Sequence, residues 1–147
     1  MSIKSKFIAN ILDLLLDGDE LGEQAKQQID FLTEKNFNYT GVGLFVSFMH
    51  NEGIQSIQLK GETVINGLVI ASPELGAGAE ASVFLKEGFI DYLEIWSYDG
   101  VYPEQELTRY TLTQGWVGSP GKKGRGITSS KESNDNGSTQ SLHQTPW

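Results

Sequence analysis

The stretch "GFIDYLEIWSYDG", Gly88–Gly100, decides the fold. Phe89, Ile90, Tyr92, Ile95, Trp96 and Tyr98 crowd between its two glycines. Aromatic and β-branched residues of this kind suit a pleated, half-buried surface. As a strand, the stretch divides its side chains by alternation. Phe89, Asp91, Leu93, Ile95 and Ser97 share one face; Ile90, Tyr92, Glu94, Trp96 and Tyr98 share the other. In a regular strand Asp91 and Glu94 then project to opposite sides. A glycosidase-type acid/base pair needs both carboxyl groups on one side, about 5–9 Å apart. This pair does not provide that.

The flanking residues set the register. "ASVFLK", 81–86, precedes the stretch and reads as a strand. Glu87 and Gly88 between the two read as a two-residue hairpin turn. Such a hairpin places Val83 opposite Tyr92 and Ala81 opposite Glu94, which makes the Ile90 face the core face; a glycine bulge at Gly88 would shift this register. Glu94 would then be a carboxylate among Tyr92, Trp96 and small residues, and it would have to be paired or hydrogen-bonded. Arg109 is the expected partner, with Tyr92, Tyr98 or Tyr110 as donors. Glu94 either braces the sheet or sits at the rim of a small pocket with Asp99 and Arg109. Trp96, Tyr98, Tyr102 and Pro103 gather where the strand ends. They suit a protein interface, a sugar-stacking surface, or ordinary packing.

Upstream, Ile8, Ile11, Leu12 and Leu15 recur at helical spacing between Ser5 and Leu16. "DGDE", 17–20, interrupts, with Asp17 and Glu20 spaced as a capping box. A second helix is expected to about Glu34, with Leu21, Ala25, Ile29 and Leu32 as its stripe. From Gly41 the period becomes two: Val42, Leu44, Val46 and Phe48 fall on one face. "HNEG", 50–53, is a turn, and "IQSIQL", 54–59, a short polar strand. In "ETVINGLVIAS", 62–72, Asn66-Gly67 is either a tight turn or a bulge. "SPELGAGAE", 72–80, and "DGVYPEQEL", 99–107, are loops, and "TRYTLT", 108–113, is a last strand. After Gln114 the chain turns to Gly, Ser, Asn and Thr, which predicts a disordered low-complexity tail over 115–147. The class is α+β: two N-terminal helices packed on one face of a mostly antiparallel sheet of about 5–6 strands. The expected globular domain covers 1–114.

Composition narrows the chemistry. The 147 residues contain no cysteine, so disulfides, thiolate metal sites and cysteine nucleophiles are excluded. The formal net charge is −8. Residues 115–147 hold four basic side chains and two acidic ones, so the first 114 carry about −10. An acidic body repels phosphate backbones and favours a basic protein partner. No apolar run reaches the ~20 residues of a membrane helix. The N-terminal apolar run, broken by Asn10 and Asp13, lacks the shape of a signal peptide. A cytoplasmic protein that binds neither nucleic acid nor membrane is expected.

The remaining motifs carry little. "GAGAEA", 76–81, has the letters of a dinucleotide fingerprint but leads into a strand rather than a helix. "SPGKKGRG", 119–126, lacks the Ser or Thr that follows a phosphate-loop lysine. His50 and His143 are the only histidines, and no metal-ligand spacing includes them. Neither a metal site nor a cofactor is expected, and no catalytic residue is assigned.

"FLKEGFIDYLEIWSYDGVYP", 84–103, ahead of "LTRYTL", 107–112, and following "ILDLLLDGD", 11–19, resembles a family of small uncharacterised bacterial α+β proteins. In these a hairpin with a Leu-Glu pair follows an N-terminal apolar helix. Some look like immunity partners of secreted polymorphic toxins. The resemblance spans roughly residues 8–113 and draws notice to Gly88, Leu93 and Glu94. It implies a non-enzymatic protein that neutralises or assists a partner; the acidic body would steer such a protein towards a basic surface, with the exposed parts of Trp96, Tyr98 and Tyr102 as anchors. Two other readings stand beside it. One is a small-ligand binder or enzyme with a pocket at Glu94, Asp99 and Arg109. The other is a self-associating structural protein that pairs through an open sheet edge.

Overall fold

The computed structural model describes residues 3–17, 20–114, 125–130 and 141–144. Helix α1 (Lys6–Leu15) begins at Ser5, whose Oγ accepts the Ile8 amide at 3.1 Å. Glu34 covers the same end from a distant part of the chain: its carboxylate accepts the backbone amides of Lys4 and Ser5 at 2.7–3.1 Å. A carboxylate there satisfies free donors and opposes the positive end of the helix dipole. Phe7, Ile8, Ile11, Leu12, Leu14 and Leu15 are all buried. A helix apolar on so much of its circumference belongs inside the protein. It lies across the sheet against strands 3, 4, 6 and 7 in chain order.

Helix α2 (Glu20–Lys26) is shorter than expected. A 3₁₀ turn, Ile29–Phe31, follows it, and then strand β1 (Leu32–Tyr39). The helical stripe had claimed Leu32, but this residue is buried as the first residue of a strand paired with the next one. Phe37 and Tyr39 favour the pleated sheet, and Gly22 weakens the helix from within. Leu21, the first residue of the expected stripe, is exposed.

The other strands are β2 (Gly43–His50), β3 (Thr63–Ala71), β4 (Ala79–Lys86), β5 (Phe89–Ser97), β6 (Arg109–Gln114), β7 (Arg125–Ser130) and β8 (Ser141–Gln144). They form one antiparallel sheet in the order β1-β2-β5-β4-β3-β6-β7-β8. The meander β3-β4-β5 sits in the middle, the β1-β2 hairpin joins its β5 side, and β6-β7-β8 joins its β3 side. "IQSI", expected as strand, is a 3₁₀ turn at Ile54–Ile57 that buries Ile54. Asn66-Gly67 is a bulge inside β3 and not a turn, with Gly67 at φ +107°.

Six strands lie within residues 1–114, and the sheet does not stop there. The disordered tail expected from Gly115 falls largely outside the described residues. Where described, it adds strands β7 and β8. Ile127 pairs with Leu112 and is buried, so an isolated apolar residue in a polar stretch serves as a core anchor. Among the described residues no helix is long and apolar enough to cross a membrane.

Candidate interaction face

The Glu87-Gly88 turn forms as expected. Both residues have positive φ, +54° and +86°, the geometry of a tight hairpin turn that matches strand twist. The register that follows it differs from expectation. Leu85 pairs with Ile90 and Phe84 with Tyr92, so Asp91 is an extra residue in β5, a bulge. Every pair beyond it moves by one: Val83 faces Leu93, Ala81 faces Ile95 and Ser82 faces Glu94. A one-residue slip exchanges the faces of a strand. Leu93, Ile95 and Ser97 therefore join Ile90 in the interior, while Tyr92, Glu94 and Trp96 face away from the helices. The expected core placement of Glu94, Tyr92 and Trp96 is corrected on this ground.

The bulge is held by side chains that replace the missing ladder bonds. Pairing of β2 with β5 ends at Ser47↔Tyr92. Beyond it, the Ile90 amide donates to Gln28 Oε1 at 2.8 Å, and Gln28 Nε2 donates to the carbonyls of Gly88 and Ile57 at 2.8 and 3.0 Å. His50 Nε2 donates to the Ile90 carbonyl at 2.6 Å. Gln28 is fully buried, and its amide is matched to three backbone groups, of which the Gly88 carbonyl also accepts the Leu59 amide at 3.0 Å.

The outward face carries aromatic rings on three successive strands. Phe84 on β4 stacks on Tyr92 of β5 with centroids 4.5 Å apart and planes 7° from parallel. Tyr92 meets Phe45 of β2 at 5.9 Å, tilted by 53°. Exposed Val64 lies across from Phe84, and Trp96, 39% exposed, lies further along β5. Carboxylates edge this row. Glu94 lies across from Phe45, and Glu80 lies across from Trp96. Asp91 lines a shallow depression with Tyr92, Phe45, Ser47, Asn36 and Asn38. Burial holds the Tyr92 hydroxyl above its ordinary pKa, and the neighbouring Glu94 and Asp91 charges push the same way. The bulge thus brings Asp91 and Tyr92 to one depression, contrary to the alternation of a regular strand. Glu94 is not part of its lining.

The remaining predicted site residues scatter. Tyr98 is 44% exposed, meets Trp96 edge-on at 5.1 Å and donates to Glu80 at 3.1 Å. Burial raises its hydroxyl pKa, with Glu80 adding to the shift. Asp99 closes a local turn, accepting Ser97 Oγ at 2.7 Å and the Val101 amide at 3.1 Å; these bonds hold its carboxyl below the usual range. Tyr102, expected as a surface anchor, is buried at 3% exposure and stacks on Tyr39 at 6.4 Å. Its hydroxyl has no hydrogen-bond partner among the described residues, and burial drives its pKa far up. Arg109 sits on β6, separated from Glu94 by β3 and β4, and its charge acts on Glu74 instead. The proposed pocket of Glu94, Asp99 and Arg109 is therefore not assembled. No cluster of three or more His, Asp or Glu side chains suited to a metal ion occurs among the described residues.

Sequence reasoning missed Phe45, Phe84, Asn36 and Asn38. A signal for the first two was present. "GLFVSF" and "SVFL" place an aromatic between two core residues, so both strands are apolar on both faces. A half-solvated antiparallel strand alternates with polar residues. Compared with protein-family models, curated proteins and solved structures, the chain matches none.

Proposed function

We propose that the chain is a non-enzymatic protein-binding module whose partner is basic, and that the outward face of the sheet makes the contact. The immunity-like role implied by the sequence resemblance is one form of this. The observation that carries it is the Phe84–Tyr92–Phe45 row, left uncovered by the helices and edged by Glu80, Asp91 and Glu94. Aromatic rings supply large contact area at small entropic cost, and complementary charge around them steers association. Self-association through a sheet edge is less favoured. Edge strand β1 has a bulge at Lys35 and exposed polar residues beside it, features that blunt edge pairing.

A photo-crosslinking residue at Trp96 tests this in the producing cell. It is expected to yield a discrete adduct with a polypeptide of basic isoelectric point, at a yield that falls as salt rises. The same group at Glu23, on α2, is expected to yield none. Equal yields from both positions, or an acidic partner, would count against the proposal.

A further inference from the structure

From the depression between β1, β2 and β5 we infer that this face takes a guanidinium side chain of its partner, an arginine in place of a general positive charge. This rests on the docking face proposed above and names its recognition chemistry. The depression measures about 300 Å³, at the low end for a ligand site. It suits one side chain better than a cofactor. Its wall is aromatic: Phe45 and Tyr92, the latter backed by the parallel ring of Phe84. Its remaining lining is polar, with the Asp91 carboxylate, the Asn36 and Asn38 amides and the Ser47 hydroxyl. None of these four side chains makes a hydrogen bond among the described residues.

These groups match one chemistry. A planar cation stacks on an aromatic face and is attracted by its quadrupole. Its fixed fork of donors pairs with a carboxylate in the same plane. The side-chain oxygens of Asn36, Asn38 and Ser47 can accept the donors that remain. A lysine ammonium is a compact, strongly hydrated point charge and uses less of such a slot. Burial raises the Tyr92 hydroxyl pKa, and the negative charges of Glu94 and Asp91 beside it push the same way. A second copy of this chain is a poor occupant, since a net charge of −8 makes copies repel.

The test is an amide-shift titration of the full chain with three probes of similar size: N-acetyl-arginine amide, N-acetyl-lysine amide and N-acetyl-citrulline amide. The arginine probe is expected to shift Asn36, Asn38, Phe45 and Tyr92 at millimolar concentration. It should bind at least severalfold more tightly than the lysine probe, with no saturable shift from neutral citrulline. Asp91→Asn should weaken the arginine probe roughly threefold to fivefold, and Asn36→Ala should weaken it less, with the shifts of core amides unchanged in both. Equal binding of arginine and lysine probes would overturn the slot but leave a basic partner in place. Shifts confined to another acidic surface, or none here, would overturn the slot whatever the Trp96 crosslink shows.

Discussion

Gln28 shows how one side chain fixes a register. It sits between helix α2 and strand β1, with no pattern in the surrounding sequence to mark it. It nevertheless answers the Ile90 amide and the Gly88 carbonyl at the start of β5, and the Ile57 carbonyl of the 3₁₀ turn. Each buried group left unpaired costs about 1–3 kcal/mol. Gln28→Leu leaves the Ile90 amide and the Ile57 carbonyl unpaired and is therefore expected to lower unfolding stability by about 2 kcal/mol or more in urea titration; a change below about 1 kcal/mol would show that the bulge holds without it. Glu74 gives a pH-dependent case. Burial alone would raise its pKa, but bonds from the Thr108 amide (2.8 Å) and hydroxyl, with Arg109 nearby, bring it below the ordinary glutamate value. A lowered folded pKa contributes stability above the unfolded value of about 4.3, and this is lost as pH falls through the folded one. Because the group is largely solvent-exposed, Glu74→Gln should cost only a fraction of a kcal/mol at pH 7. The gap from the parent chain should shrink on acidification to pH 3. A gap of the same size at both pH values would contradict this.

The hairpin β4-β5 was legible as an element, down to its two turn residues. Its inside and outside were not. Alternation assumes a regular strand, and the extra residue at Asp91 inverts every assignment beyond it. No residue type marks that bulge in the sequence; it exists because Gln28 and His50, distant in the chain, supply the bonds it loses. The turn itself makes a sharper prediction. Gly88 has φ +86°, and a β-carbon there would collide with the Leu59 carbonyl oxygen. That carbonyl belongs to backbone that cannot rotate away as a side-chain tip can. Gly88→Ala is expected to destabilise by about 1–3 kcal/mol, read as an earlier urea midpoint with an unchanged slope. An unchanged midpoint would mean that the turn relaxes freely. The second helix was overextended for a related reason: apolar spacing at Ile29 and Leu32 fits a helix stripe, and only pairing with β2 selects the strand.

At the scale of the whole molecule, the α+β class and the antiparallel sheet followed from the switch of apolar period after Gly41. The extent of the sheet did not. A polar, glycine-rich composition predicts a solvated chain, yet Ile127 is buried against β6 and α1 lies against β7. Ile127→Ala is expected to destabilise the fold by about 2 kcal/mol or more, whereas a residue in a solvated tail would cost nothing measurable. The candidate face was the least legible feature, because it is assembled from β1, β2, β4 and β5 and depends on which way β5 turns. That orientation carries both the docking surface and the guanidinium slot, and the absence of cysteine from the chain makes it directly measurable. Single cysteines at Glu94 and at Ile95 should react very differently with a thiol reagent under native conditions. The account predicts prompt labelling at position 94 and labelling at position 95 only as fast as the protein unfolds. The reverse order would contradict it.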